Sequence, residues 1–188
     1  LPNRTLRGPK RCIVPTPKSI AASEIHAAID RIAQAILQRH GKNPKLLLLG
    51  IANGGIELAR RLGSRIPGAR TGTLDISFHR DDIERQPIPK EFSPTHIPAD
   101  VRGATVILVD DVLFSGRTVK AALDELFDHG RPERVELAVL IDRGHRRLPL
   151  TANYVGIEVS TFATQKIVVR LDPEKPAHDT IRIESTVA

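Results

Sequence analysis

The chain has 188 residues, a length near that of one domain and sufficient to bury a hydrophobic core. Only 3% of the residues are aromatic and none is tryptophan, so the core must consist of aliphatic side chains. The net charge of +6 is concentrated in residues 1–18, which hold five basic residues and no acid; the other 23 basic and 22 acidic residues nearly cancel. We therefore expect a basic, disordered tail over 1–18 and one nearly neutral domain over 19–188.

Cysteine usage and hydropathy exclude two further classes of protein. Cys12 is the only cysteine, so an internal disulfide is excluded and a reducing compartment is expected. No apolar stretch reaches the length of a membrane span. The tail lacks the apolar centre of a secretory signal. We expect a cytoplasmic protein with no membrane partner.

The first half of the chain predicts alternating helices and strands. Isoleucines at helical spacing predict an amphipathic helix with Ser23 as N-cap and Gly41 at its end. The continuous apolar run 45–51 predicts a buried strand, followed by an Asn-Gly-Gly turn at 53–55 and a second helix. A further strand is expected over 69–78, ending near its aspartate.

The second half continues this alternation after one long irregular segment. Residues 79–95 are rich in charge and proline and lack periodicity, which predicts a functional loop. Strands are expected over 134–141 and, more briefly, over 153–155. Residues 166–171 and 180–184 alternate apolar and polar side chains, a pattern typical of a hairpin with one wet face.

The most informative stretch is 105–118, with the sequence TVILVDDVLFSGRT. Four consecutive apolar residues without alternation indicate a strand buried on both faces of a parallel sheet. Asp110 and Asp111 follow at its carboxyl end, where open α/β sheets bind ligands. A short loop then leads to a helix starting at Arg117, whose free backbone N–H groups suit a phosphate. Paired acids next to an anion site indicate a sugar phosphate as ligand.

Other interpretations of this acidic strand end remain open at this point. One is purely structural: the acids cap the next helix and hold the loop. Another is an ATP site, because a Walker B strand also ends in aspartate; the chain, however, has no G-x-x-x-x-G-K-[ST] loop. A dinucleotide-binding fold is disfavoured because no G-x-G-x-x-G follows the first strand.

The segment VILVDDVLFSGRT resembles the phosphoribosyl pyrophosphate (PRPP) motif of type I phosphoribosyltransferases. Together with LDISFHRDDI and DRGHRRLP, it resembles the PyrR family, pyrimidine operon attenuation regulators that are also uracil phosphoribosyltransferases. The resemblance covers about 25–159. It implies an α/β, type I phosphoribosyltransferase fold: a mostly parallel central sheet flanked by helices, a mobile loop at 79–95, and a small hood from the termini. It also implies Mg²⁺, a homodimer or tetramer, and conversion of uracil and PRPP to UMP and pyrophosphate.

The resemblance assigns roles to particular residues. Asp110 and Asp111 would be catalytic, accepting hydrogen bonds from the ribose hydroxyls, favouring a cationic transition state and serving as candidate Mg²⁺ ligands. Arg80, which by itself fits a solvated loop cation better, would in this family meet pyrophosphate from the mobile loop. The 5′-phosphate would be held by Val112, Leu113, Phe114, Ser115, Gly116, Arg117 and Thr118.

The nucleobase side of the site is assigned in the same way. Arg143 would contact the substrate, with Asp142 as its neighbour; the alternative is an ion pair at the end of a strand. The backbone of Val159 and the two residues after it would recognise uracil. His145 is expected to be a structural or surface histidine and not a catalytic acid.

Three departures from the family pattern affect these expectations. The pyrophosphate loop G-I-x-T-R-G is here G-I-A-N-G-G, so Asn53 and Gly54 stand at the binding positions and the arginine is lost. A charge-assisted contact of that kind is worth roughly 1.5–3 kcal/mol, which predicts reduced activity. The base segment I-P-T-S is here V-S-T-F, starting at Val159, so the preference for uracil is less firmly indicated than PRPP binding.

The third departure concerns RNA. The family pattern T-R-I-A-H on the first helix is here D-R-I-A-Q, starting at Asp30, and two basic positions further on are Thr151 and Ile157. Fewer neutralised phosphates mean weaker nucleic-acid binding, so an RNA partner is disfavoured. The alternative function is a catalytically weak sensor that binds UMP or UTP and regulates pyrimidine genes through RNA.

Overall fold

The computed structural model describes residues 19–41, 43–77, 79, 94–162 and 164–185. The predicted tail at 1–18 and Arg80 lie outside the described residues. The described elements, in chain order, are β1 (Ser19–Ile20), α1 (Ala22–His40), β2 (Leu46–Ile51), α2 (Gly54–Gly63), β3 (Arg70–Leu74), β4 (Thr105–Leu113), α3 (Arg117–Asp128), β5 (Arg134–Asp142), β6 (Tyr154–Glu158), β7 (Gln165–Arg170), a 3₁₀ turn (Pro176–His178) and β8 (Thr180–Ser185). No described helix is both long and apolar enough to cross a bilayer.

Five strands form the central sheet in the order β3-β2-β4-β5-β6, and every neighbouring pair is parallel. The chain moves outward from β2 to β3 and then returns to β4 on the other side of β2. The strand order therefore reverses between β2 and β4, which is where ligands bind in open α/β sheets. We call the space outside the carboxyl ends of these two strands the crevice.

The apolar runs form strands because both faces of the sheet are covered. All six residues of β2 are buried, as are the first six of β4. Their side chains alternate between two cores: Leu48 and Val109 pack with α1 and α2, whereas Leu49 and Leu108 pack with α3 on the other face. This arrangement confirms the predicted parallel sheet flanked by helices.

A second, three-stranded sheet has the order β1-β8-β7 and is antiparallel. The strands β7 and β8 form the predicted hairpin. The two-residue strand β1 adds to β8, a pairing that sequence analysis did not predict because two residues carry no periodicity. This sheet corresponds to the hood implied by the resemblance, with strands from both ends of the described chain.

Some predicted boundaries were wrong for physical reasons. Helix α1 is capped by Ala21, whose carbonyl accepts the first helical hydrogen bonds, and Ser23 lies inside the first turn. The glycines assigned to a turn, Gly54 and Gly55, open helix α2 instead. Strand β4 continues past its apolar run to Leu113 because β5 pairs with it over that whole length.

Candidate functional site

The acid pair lies at the carboxyl end of β4, facing the crevice, as predicted. Asp110 is only 5% exposed, and Asp111 is half-buried. The backbone N–H of Asp111 donates to Oδ1 of Asp110 at 3.0 Å. Burial, reinforced by the neighbouring negative charge of Asp111, raises the pKa of Asp110 well above its ordinary value. Burial also raises the pKa of Asp111.

No basic side chain among the described residues forms an ion pair with either carboxylate. No described cation therefore relieves the destabilisation of the two charges, although the N–H of Asp111 stabilises the ionised form of Asp110 in part. A cation that enters the crevice finds two oxygen donors whose ionised form it stabilises. This arrangement suits binding of a positively charged group more than it suits helix capping.

The segment after the acids, which is predicted to hold a phosphate, leads into the amino end of α3. Gly116 has φ +92°, a left-handed conformation, and precedes the first turn of α3. Arg117 and Thr118 are exposed at the start of this helix, and Ser115 is half-buried. The hydroxyl of Ser115 accepts a long hydrogen bond, 3.4 Å, from the N–H of Arg117. Backbone and hydroxyl groups thus surround the amino end of α3, where an anion is stabilised.

Two residues assigned to the phosphate loop belong to strand β4 instead. Val112 pairs with Ile141 of β5, and Leu113 pairs with Asp142. The Leu113 side chain is 1% exposed and packs in the core on the α3 face. The described loop between β4 and α3 is therefore shorter than predicted and consists of Phe114, Ser115 and Gly116.

The glycine segment after β2 meets the acid pair directly. A Cβ added to Gly54 would lie 2.6 Å from Cγ of Asp111, and one added to Gly55 would lie 1.9 Å from the carbonyl oxygen of Val109. The backbone of α2 therefore approaches β4 so closely that a side chain at Gly55 is excluded. Asn53 is exposed beside them, and the peptide bond that precedes it is cis. The two predicted binding segments thus lie side by side.

Arg143 follows β5 and is 7% exposed. Its Nε donates to Oγ1 of Thr161 at 3.1 Å, and Nη2 donates to the carbonyl of Phe162 at 3.3 Å. Its guanidinium lies 4.1 Å from the ring centroid of Phe114, a cation–π contact. Burial lowers the pKa of this guanidinium. Arg143 therefore joins the loop after β4 to the predicted base segment, and among described residues it forms no ion pair.

The alternative of a strand-end ion pair applies to a different arginine, Arg146, which sequence analysis missed. Arg146 forms the ion pair with Asp142, and its Nη1 donates to the carbonyls of Leu113 at 3.2 Å and Phe114 at 2.8 Å. It thereby fixes the backbone just before the amino end of α3. Its membership in the DRGHRRLP motif was the only available signal, because contacts to distant carbonyls leave no pattern in sequence.

The predicted base segment begins at Val159, which is buried at 7% exposure. Its N–H donates to the carbonyl of Asp142 at 2.8 Å and is therefore already used within the protein. Nε2 of His145 lies 2.7 Å from the carbonyl of Thr161, so this histidine supports the segment, as expected of a structural residue. Phe162 is 68% exposed. The segment is thus held by the protein on one side and open on the other.

Comparison with known proteins places these features in a family. A family model described as a phosphoribosyl transferase domain matches residues 21–174. The bifunctional protein PyrR of Chloroflexus aurantiacus is 48% identical over 161 residues, covering 81% of this chain and 86% of that protein. The bifunctional protein PyrR of Leifsonia xyli is 44% identical over 172 residues, covering 86% and 93%.

Solved structures agree at the level of the fold. The hypoxanthine phosphoribosyltransferase of Trypanosoma cruzi superimposes with a TM-score of 0.62 at 21% identity, covering 90% of this chain and 97% of that one. A hypoxanthine-guanine phosphoribosyltransferase from Bacillus anthracis gives 0.61 at 20% identity, covering 78% and 85%. Both show that the parallel sheet and its crevice form a phosphoribosyltransferase fold.

Proposed function

Because the chain belongs to the PyrR family of type I phosphoribosyltransferases, we propose that it converts uracil and PRPP to UMP and pyrophosphate. One observation carries the proposal: the acid pair, with Asp110 buried and Asp111 half-buried, lies between the amino ends of α2 and α3. The amino end of each helix favours an anionic group. The two acids favour the positive charge that develops on a ribose ring held between those two anionic groups.

Phosphoribosyl transfer breaks the bond from ribose C1 to pyrophosphate and leaves positive charge on the sugar ring. In the proposed complex the 5′-phosphate lies against the amino end of α3, with the hydroxyls of Ser115 and Thr118 as further donors. The pyrophosphate lies at Asn53 and Gly54, at the amino end of α2. Asp110 and Asp111 accept hydrogen bonds from the ribose hydroxyls and hold the ring between the two anions.

The raised pKa values of the pair bear on this mechanism. In the free protein, burial and mutual repulsion favour a proton on Asp110. A positive charge that arrives nearby lowers the pKa again, because it stabilises the ionised carboxylate. The stabilisation of the carboxylates therefore increases as positive charge develops on the ribose, which is the condition for lowering an activation barrier.

Phosphoribosyltransferases generally use Mg²⁺ together with PRPP, and the residues present fit this ion. Mg²⁺ prefers carboxylate and phosphate oxygens, and the two acids offer such oxygens without a described basic partner. Asp110 and Asp111 are the residues that would hold it. When bound, the ion neutralises negative charge on the pyrophosphate leaving group.

We place the nucleobase beside Arg143 and the segment that starts at Val159. The guanidinium of Arg143 holds the carbonyl of Phe162 and the hydroxyl of Thr161, so it orients this segment toward the crevice. Phe114, whose ring lies against the same guanidinium, adds an aromatic side chain beside this position. Uracil offers two carbonyls and two N–H groups, which match backbone donors and acceptors better than a charged base would.

The direct test is formation of UMP from labelled uracil, PRPP and Mg²⁺, with cytosine and hypoxanthine as competing bases. Of the three bases, we expect only uracil to be converted. Asp111→Asn should lower this turnover at least a hundredfold and leave the fold unchanged. Asp124→Asn, at an exposed position of α3, is the matched control and should retain activity. Preference for another base would reject the uracil assignment; full activity of Asp111→Asn would reject the role of the carboxylates.

A second function, nucleotide-dependent regulation through RNA, is favoured by Gly54, which leaves the pyrophosphate loop without an arginine. Asp30, expected to repel RNA, forms an ion pair with Arg65, whose Nε lies 2.6 Å from its carboxylate and offsets part of its charge. Regulation would be favoured by two results together. One is salt-dependent binding of a pyrimidine-operon leader RNA that UMP strengthens. The other is an absence of turnover unless Gly54 is replaced by Arg. Robust turnover with only nonspecific RNA binding would favour the enzyme.

A further inference from the structure

A cluster of ligand-type side chains lies at the carboxyl end of helix α3. Glu125 and Asp128 are three residues apart on the helix, so they point to the same side. His79, from the chain after β3, meets them there: the three ligand atoms lie within 4.8 Å of one another. The cluster lies about 12–16 Å along the helix axis from Arg117, so it is separate from the proposed Mg²⁺ position.

The distances suit a small tetrahedral cation. Nε2 of His79 lies 3.2 Å from Oε2 of Glu125 and 3.4 Å from Oδ2 of Asp128. Two ligands bound at 2.0–2.1 Å in tetrahedral geometry are about 3.3 Å apart. Two of the three separations therefore match this geometry, the two carboxylate oxygens lie within 4.8 Å of each other, and one position remains for water.

The surroundings hold the central carboxylate in place. Oε1 of Glu125 accepts a hydrogen bond from the hydroxyl of Thr95 at 2.7 Å and lies 3.1 Å from Nε2 of His129. This leaves Oε2 directed toward His79. The Thr95 hydroxyl also accepts from the N–H of Asp75 at 2.9 Å, so the support extends to the end of β3. Metal sites commonly show such outer hydrogen bonds, which fix the orientation of a ligand.

We propose that His79, Glu125 and Asp128 bind a zinc-type divalent cation. One imidazole and two carboxylates suit Zn²⁺, Co²⁺ or Ni²⁺, whereas Mg²⁺ prefers oxygen ligands alone and gains little from the histidine. The cation joins His79 to the last turn of α3. Through Glu125 and Thr95 it also fixes the chain on the other side of segment 80–93. This proposal is independent of the transferase activity.

Titration calorimetry with ZnCl₂ on the full chain without an affinity tag tests it. We expect one Zn²⁺ site per chain. His79→Gln and Asp128→Asn should each lower its affinity for Zn²⁺ at least tenfold, and MgCl₂ should not occupy it. Asp124→Asn is the matched control, because it removes the same charge from the same helix, where its partner is Lys120. This variant should bind as the wild type does.

Two further readouts separate this site from adventitious binding by other histidines or by Cys12. Co²⁺ should give the visible absorption of a tetrahedral nitrogen–oxygen site in the wild type, absent from His79→Gln. Thr95→Val should lower the affinity for Zn²⁺ about tenfold, although it removes no metal ligand. Equal Zn²⁺ affinity in wild type, His79→Gln and Asp128→Asn, or no saturable binding at millimolar Zn²⁺, would overturn the proposal. Both ligand side chains are partly or largely exposed, so these variants are expected to fold.

Discussion

Replacing Asp110 by Asn should abolish transfer and, at the same time, make the folded protein more stable at neutral pH. Burial and the charge of Asp111 raise the pKa of Asp110 in the folded state. A group with a raised folded pKa stabilises the fold fully below its unfolded pKa, which for aspartate is about 3.9. That contribution is lost as the pH rises through the folded pKa.

Asparagine imitates the protonated acid at every pH. Its carbonyl can accept from the N–H of Asp111, as Oδ1 of Asp110 does at 3.0 Å, and its amide can donate to the Asp111 carboxylate. The variant therefore keeps the stability that the wild type loses. The loss amounts to about 1.4 kcal/mol for each pH unit over which only the folded carboxyl keeps its proton. Since 1 kcal/mol shifts Tm by about 2–4 °C at this length, each such pH unit is expected to raise the Tm of the variant relative to the wild type by about 3–6 °C.

The assay is urea unfolding of wild type and Asp110→Asn at intervals from pH 4 to pH 8, with UMP formation measured in parallel. The free energies of unfolding should be similar near pH 4 and diverge as the pH rises, with the variant the more stable. Asp124→Asn, which loses an exposed carboxylate, should follow the wild type. A difference that does not change with pH, or a variant less stable than wild type at pH 7, would refute the reasoning.

Three further predictions concern the crevice and the hood. Gly54→Ala places a Cβ 2.6 Å from Cγ of Asp111 and should lower kcat. Gly54→Arg should show a KM for PRPP about ten- to a hundredfold lower than that of Gly54→Ala, and equal KM values would exclude a guanidinium contact there. Arg146→Met loses the hydrogen bonds to the backbone before the anion site, so initial rates should show a higher KM for PRPP; an unchanged KM would leave Arg146 a purely structural role. Asp179→Asn removes one of the two carboxylate partners of the buried guanidinium of Arg61, the other being Glu57, and should lower the free energy of unfolding by about 1.5–3 kcal/mol in urea; a loss below 1 kcal/mol would contradict this.

The central sheet was predictable because its strands are buried on both faces. Over 46–49 in β2 and 106–109 in β4 each side chain enters one core or the other, so these positions must be apolar, and the polar residues that follow mark the end of the apolar run. Asp110 and Asp111 were located by that rule. The same rule placed the end of β4 too early, because hydrogen bonding to β5 extends the strand through the acids to Leu113.

What sequence reasoning missed depends on contacts between distant segments. Arg146 binds the carbonyls of Leu113 and Phe114, more than thirty residues earlier, and carbonyls have no residue identity to recognise. The cluster of His79 with α3 brings together residues whose local patterns suggest only a loop and a helix face. Gly55 looked like a turn residue, yet its lack of a Cβ serves the close approach of α2 to β4.

Stability and function are coupled at the end of β4. The same burial that makes this strand a core element withdraws Asp110 from water and raises its pKa, so the folded protein carries the cost of the acid pair before any ligand binds. Solvated carboxylates would interact with a developing ribose cation through water and gain little. Carboxylates at the poorly solvated end of a buried strand are stabilised more by the same positive charge. Without that charge they either repel each other or take up a proton. The stabilisation expected of Asp110→Asn and its loss of activity therefore have one cause and should appear together.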